Sequence, residues 1–122
     1  LPPACVASIT KALELIENDT SRRDNLFRLT AKLKKGLEDL GYDLGTSTTP
    51  ILPVHVGSNE NCFKMWRSLH ELGIFSNPVI SPAVPPGHAL MRLTLMATHT
   101  DEHVAKIIDA FAQAGRAVGI IK

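Results

Sequence analysis

No stretch of this sequence is apolar for long enough to cross a bilayer. The longest apolar runs, such as residues 51–56, fall far short of the ~20 residues that a spanning helix needs. An excess of one charge is lacking too. Thirteen Lys and Arg stand against twelve Asp and Glu, a formal net charge of +1, so neither nucleic acid nor an anionic membrane surface has an electrostatic handle here. Paired cysteines are missing: Cys5 and Cys62 lie far apart and outside any C-x-x-C pattern. That argues against a zinc site or a redox pair and for a reduced, cytoplasmic setting, with both thiols expected in the core. The glycines never form a G-x-G-x-x-G or Walker pattern, and there is no G-x-S-x-G, so neither a nucleotide cradle nor a nucleophile elbow is encoded. The chain begins at Leu1 with no initiator Met and no signal-peptide pattern, and so reads as a piece of something longer.

What is present is the balance of a globular protein. Hydrophobic residues make up 44% and charged residues 20% of 122 positions, enough for one domain with a single core. Val6, Ile9, Leu13 and Ile16 recur at helical spacing after Pro2 and Pro3, which predicts a first helix over residues 3–18. A second begins at Thr20 or Ser21, with Ser21 and Asp24 as a variant capping box, and carries the stripe Leu26, Leu29, Leu33, Leu37 and Leu40 up to Gly41. Residues 51–56 read as a strand that Pro53 confines to an edge or a bulge. Ser58 or Asn59 starts a third helix with Phe63, Trp66, Leu69 and Leu72 near one face, closed by Gly73. Ile74 and Phe75 begin a short extended segment. Pro78, Pro82, Pro85 and Pro86 make the following stretch a loop with little pairing. Residues 89–97 are the clearest strand. Thr100 caps a last helix with Asp101 and Glu102 in its first turn and Val104, Ile107, Ile108 and Phe111 on its buried side, loosened at its end by Gly115 and Gly119. The expected fold is α+β: a small, mainly antiparallel sheet with helices on one face and the other face free.

Alternation along the 89–97 strand sends Met91, Leu93 and Leu95 to one face and Leu90, Arg92, Thr94 and Met96 to the other. One guanidinium thus stands among apolar neighbours on the face that the helices leave open. Its permanent charge and planar fork of donors match a carboxylate. Two readings stay open at this point: a strand arginine paired with a surface Asp or Glu, the commoner arrangement, or a receptor for an anion from outside. His99 and His103 have the i, i+4 spacing of metal ligands, but a third ligand has no source and the pair straddles a helix start, so no metal is expected. His55, His70 and His88 are isolated. The basic residues of helix two, from Arg22 to Lys35, are interspersed with acids and read as a solvated face. One anion receptor without a nucleophile looks like part of a site whose remainder lies elsewhere.

Residues 77–85, Asn-Pro-Val-Ile-Ser-Pro-Ala-Val-Pro, followed by residues 92–100, Arg-Leu-Thr-Leu-Met-Ala-Thr-His-Thr, resemble the C-terminal signature of the α-oxoamine synthases. Leu1-Pro2-Pro3 resembles the opening of that family's small domain, residues 49–54 its first strand and residues 72–75 its helix-to-strand turn. The likeness covers essentially the whole chain. Residues 78–85 and 114–119 are most similar to the serine palmitoyltransferase branch; 8-amino-7-oxononanoate synthases tend to carry threonine where Ala83 stands, and glycine C-acetyltransferase and 5-aminolevulinate synthase are further relatives. The resemblance implies that residues 1–122 are one C-terminal small domain of a fold-type I pyridoxal-phosphate enzyme, an acyltransferase that condenses an amino acid with an acyl-CoA and loses CO2. For that branch the substrates are L-serine and palmitoyl-CoA, in the first step of sphingolipid synthesis, and family members work as homodimers. It further implies that Arg92 binds the amino acid carboxylate, that Pro82, Ala83, Val84 and Pro85 line the site, and that the cofactor-binding residues lie upstream, leaving this piece inactive alone. The alternative of another class is a free-standing α+β ligand-binding or interaction module.

Overall fold

Burial alternates along the strand that contains Arg92: Ala89, Met91 and Leu93 are buried, Leu90 is half-buried, and Arg92 and Thr94 are exposed. That period of two lays one side of a sheet against helices and leaves the other bare. The computed structural model describes all residues, 1–122, in the order α1 (Pro3–Asn18), α2 (Ser21–Asp39), β1 (Ile51–Gly57), α3 (Asn59–Glu71), β2 (Asn77–Val79), β3 (Ala89–Thr94) and α4 (Asp101–Val118). The three strands form one antiparallel sheet in the order β1-β3-β2, so the expected α+β class holds. No helix is long and apolar enough to cross a membrane.

The core lies between the sheet and the helices. It joins Leu52, Val54, Met91 and Leu93 to Leu29, Leu33 and Leu37 of α2, Cys62, Met65 and Leu69 of α3, and Val104 and Phe111 of α4. Each large side chain taken out of water there stabilises the fold by about 1.5–3 kcal/mol. Pro53 sits in the edge strand β1 as expected. The His55 amide donates outward to the Asp43 carbonyl at 3.0 Å, so Pro53, two residues earlier, also directs its missing N–H away from β3 and removes no bond from the ladder.

Several expectations need correction. The stripe of α1 is real in the sequence, yet no residue of α1 is buried: Val6, Ile9, Leu13 and Ile16 meet no partner within these 122 residues, and Cys5 on the same helix is exposed, unlike the buried Cys62. The capping box at Ser21 does not form. Thr20 is the N-cap and has helical backbone angles, so its hydroxyl donates to Asp24 Oδ2 at 2.8 Å and does not reach over the first-turn amides. The buried face of α3 is Cys62–Met65–Leu69, not the Phe63–Trp66 face; Phe63 and Trp66 lie about 100° further round the helix, exposed, with Trp66 stacked on His70.

The second strand starts three residues later than Ile74 and includes Pro78. Ile74 cannot start it, because its amide is spent on the Leu69 carbonyl at 2.8 Å while Gly73 donates to His70 at 2.9 Å, the double bond of a Schellman cap. β3 stops at Thr94 and not Ala97, since Thr94 pairs with Ile51, the first residue of β1, and the Met96 amide turns to His99 Nδ1. Gly115 does not loosen α4, which runs on to Val118 before Gly119 caps it; Gly115 is buried where a Cβ would overlap the Tyr42 hydroxyl.

Candidate functional site

Residues paired across a ladder share a face. Pro53 and Asn77 stand directly opposite Arg92 on its two sides, His55 and Val79 opposite Leu90, and Ile51 opposite Thr94. The uncovered face is therefore Ile51, Pro53 and His55 on β1, Leu90, Arg92 and Thr94 on β3, and Asn77 and Val79 on β2. It carries no carboxylate. Arg92 is exposed and joins none of the chain's seven ion pairs, every one of which involves Lys11, Arg23, Arg28, Lys32, Lys34, Lys64 or Arg67. The surface ion pair, one of the two readings left open by the sequence, finds no partner among the Asp and Glu of these 122 residues. A guanidinium held on a central strand with an apolar or neutral neighbour on every side has five donors and no internal acceptor. Chemically it can bind an anion, and a planar carboxylate fits its fork best.

The proline-rich segment is the connection of the β2–β3 hairpin, leaving β2 at Val79 and entering β3 at Ala89. Ala83 and Val84 donate to the Ile80 carbonyl at 2.9 and 3.4 Å, His88 donates to Pro85 at 3.1 Å, and the Ser81 amide reaches Asn59 Oδ1 on α3 at 3.4 Å. The Ser81–Pro82 peptide bond is cis. Pro82, Ala83 and Pro85 are exposed and Val84 half-buried. The loop and Arg92 thus belong to one hairpin, separated along β3 by the Leu90–Val79 pair; no hydrogen bond joins them. Asn77 is the residue that sequence reasoning left in a loop and that the register brings beside Arg92.

The other candidates are spoken for. His99 Nδ1 accepts from the Met96 amide at 3.0 Å, and His103 Nδ1 accepts from the Thr100 amide at 3.2 Å while its own amide donates to Thr100 Oγ1 at 3.3 Å. A backbone N–H on Nδ1 leaves the ring proton on Nε2, so neither ring offers a free lone pair, and no group of three or more His, Cys, Asp or Glu gathers to hold a metal ion. Arg28 and Lys32 both bond Asp101, at 2.9 and 2.7 Å, so part of the basic face of α2 ties down the start of α4. Those two hydrogen bonds hold the Asp101 carboxyl well below the usual carboxylate range. The Cys62 thiol donates to the Leu90 carbonyl at 3.4 Å and lies 3.6 Å from Met91 Sδ; burial raises its pKa, which suits a core residue and not a nucleophile. No lysine lies on the sheet: all but Lys122 are on helices.

With that geometry in hand, likeness to known proteins is specific. Over 118 residues the chain is 43% identical to a serine palmitoyltransferase of Sphingobacterium spiritivorum, covering 93% of this chain and 30% of the relative. It is 38% identical over 120 residues to an 8-amino-7-oxononanoate synthase of Symbiobacterium thermophilum, covering 98% of this chain and 31% of that one. The solved serine palmitoyltransferase of Sphingomonas wittichii superposes with a TM-score of 0.92 at 35% identity, over 100% of this chain and 31% of its own. The chain therefore spans under a third of the length of these relatives. The pattern of the family described as "Aminotransferase class I and II" matches residues 1–111, and the chain belongs to that family, among relatives of the α-oxoamine synthase type.

Proposed function

We propose that this chain is the small domain of a pyridoxal-phosphate-dependent α-oxoamine synthase and contributes the receptor for the amino acid carboxylate. The observation that carries the reading is the solitary Arg92 on the open face of the sheet, with no acid on that face and no ion pair within the chain. Arg92 holds the carboxylate by two parallel hydrogen bonds and so fixes how the amino acid presents its Cα bonds, a contribution of positioning. Pro82, Ala83, Val84 and Pro85 form the rim of the site from the hairpin connection. The reaction is the condensation of an amino acid, L-serine, with an acyl-CoA, palmitoyl-CoA, with loss of CO2, the entry into sphingolipid synthesis; the likeness to serine palmitoyltransferases supports this choice. Pyridoxal phosphate supplies the electron sink for such chemistry. The residues present do not form its site, because no lysine stands on the face that carries Arg92, and its binding is assigned to residues outside these 122. The enzyme is taken to work as a homodimer in the cytoplasm.

The test is Arg92→Lys and Arg92→Ala in the full-length protein. Loss of a charged, bidentate contact costs about 1.5–3 kcal/mol or more, so amino acid affinity is expected to fall at least tenfold while acyl-CoA affinity holds. An unchanged amino acid affinity removes the reading. The relatives named 8-amino-7-oxononanoate synthase are nearly as similar, so a screen of serine, alanine and glycine against short and long acyl-CoAs decides the branch.

A further inference from the structure

Asn77 is the direct cross-strand partner of Arg92. Side chains in such a pair stand about 5 Å apart at Cβ and on the same face. The residue is out of character for its place. Asparagine is depleted in strands, and where it occurs outside helices its amide commonly repays the position by bonding nearby backbone. Here the Asn77 side chain makes no hydrogen bond, whereas the side chains of Asn18, Asn25 and Asn59 each bond backbone. On the other flank of Arg92 stands Pro53, which offers no polar side chain. Arg92 and Asn77 thus face each other directly across the ladder, one cationic and one neutral and both without internal partners, with Ile51, Pro53, Leu90 and Val79 around them and His55 and Thr94 as the other polar residues of that face.

We infer that Asn77 is the second half of the anion receptor: its amide N–H donates to the carboxylate that Arg92 holds. This rests on the carboxylate reading above and adds the residue that fixes the ligand's tilt. A guanidinium alone lets a carboxylate pivot about the axis of its two bonds; a donor from β2, off that axis, removes the freedom. Of the two residues directly opposite Arg92, only Asn77 on β2 can supply such a donor, because Pro53 on β1 cannot. The receptor is therefore lopsided, and the ligand must lean towards β2 and its hairpin loop.

Asn77→Val in the full-length protein provides the test, since valine favours a strand and keeps the variant folded. The expected result is about a tenfold rise in the Kd and KM for the amino acid, with thermal stability and the KM for acyl-CoA unchanged. Asn77→Asp is expected to be worse than Val by a further tenfold or more, because its carboxylate occupies Arg92 and repels the substrate; a merely structural role would make Val harmless and would not order the two in this way. If Arg92→Lys weakens amino acid binding and Asn77→Val does not, this inference is overturned and the carboxylate reading stands. If Arg92→Lys also leaves binding unchanged, both fall.

Discussion

The Tyr42 hydroxyl donates to the Phe111 carbonyl at 2.7 Å and lies where a Cβ on Gly115 would stand, so one tyrosine fastens the chain after α2 to the middle of α4. The rings of Tyr42 and Phe111 meet edge to face at 5.7 Å, and burial pushes the phenol's pKa up.

Gly115→Ala forces the Tyr42 ring out of that place, and overpacking of this kind costs about 1–3 kcal/mol. Tyr42→Phe removes one buried hydrogen bond, about 1 kcal/mol. Denaturant melts of both variants and of the double mutant check this. The double is expected to lose less than the sum, because deleting the hydroxyl gives the new methyl part of its room. The folded pKa lies above the unfolded value, so the stability tied to the neutral phenol is complete below about pH 10 and is lost as the pH rises beyond it. Tyr42→Phe flattens that alkaline loss.

Asp101 accepts from Arg28 at 2.9 Å and from Lys32 at 2.7 Å, and sits in the first turn of α4, where the helix dipole also favours an anion. Its carboxyl titrates well below the ordinary range, a folded value beneath the unfolded one. Its contribution is therefore present above about pH 4 and declines only as the pH falls further, towards the folded pKa. The melting temperature of Asp101→Asn is expected to lie slightly below that of the parent at pH 7 and to converge with it in acid. Because the pair is exposed, 1 M salt should shrink the gap as well. A gap that does not narrow at all as the pH falls from about 5 to about 2 would count against the assignment.

His103 occupies the position where a capping box usually holds Glu or Gln: its Nδ1 accepts from the Thr100 amide while Thr100 Oγ1 accepts from the His103 amide. His103→Gln can reproduce that acceptor and is expected to leave stability nearly unchanged, whereas Thr100→Ala loses the cap and about 1 kcal/mol. Thermal melts with and without added zinc separate this from a metal role. With both Nδ1 atoms engaged, zinc should leave the melting temperature unmoved; a rise that His99→Ala abolishes would reverse the conclusion.

How far the sequence could be read follows the range of the forces involved. Helix limits at Pro3, Asn18 and Gly73 and the alternating strand around Arg92 rest on neighbours in the chain, and they were legible. The face of α3 was not, because Phe63–Trp66 and Cys62–Met65 are both apolar at helical spacing, and only the position of the sheet selects between them. The start of β2 was hidden by the Schellman bonds of Gly73 and Ile74, and Gly115 looked like a helix breaker because Tyr42, its reason, is 73 positions away by number. For the site, Arg92 was visible through its lone charge in an apolar strand. Asn77 was not, since a register between β2 and β3 is needed to place it there, and the prolines around it argued for a loop.

The apolar stripe of α1 provides the last test. Val6, Ile9, Leu13 and Ile16 are 47%, 50%, 55% and 70% exposed, so in these 122 residues they gain little from folding. A 16-residue helix without tertiary packing is marginal in water. Hydrogen exchange on the 122-residue chain should therefore find the amides of α1 opening far more readily than those of α2 and α4, whose buried faces must be broken to expose them. Ile9→Lys is expected to change global stability by no more than about 0.5 kcal/mol, the range of ordinary surface substitutions, against about 2–5 kcal/mol for Leu33→Ala in the core. If Ile9→Lys proves as costly as Leu33→Ala, then α1 has a partner within the chain and its exposed stripe is misassigned. Equal protection of all four helices would say the same.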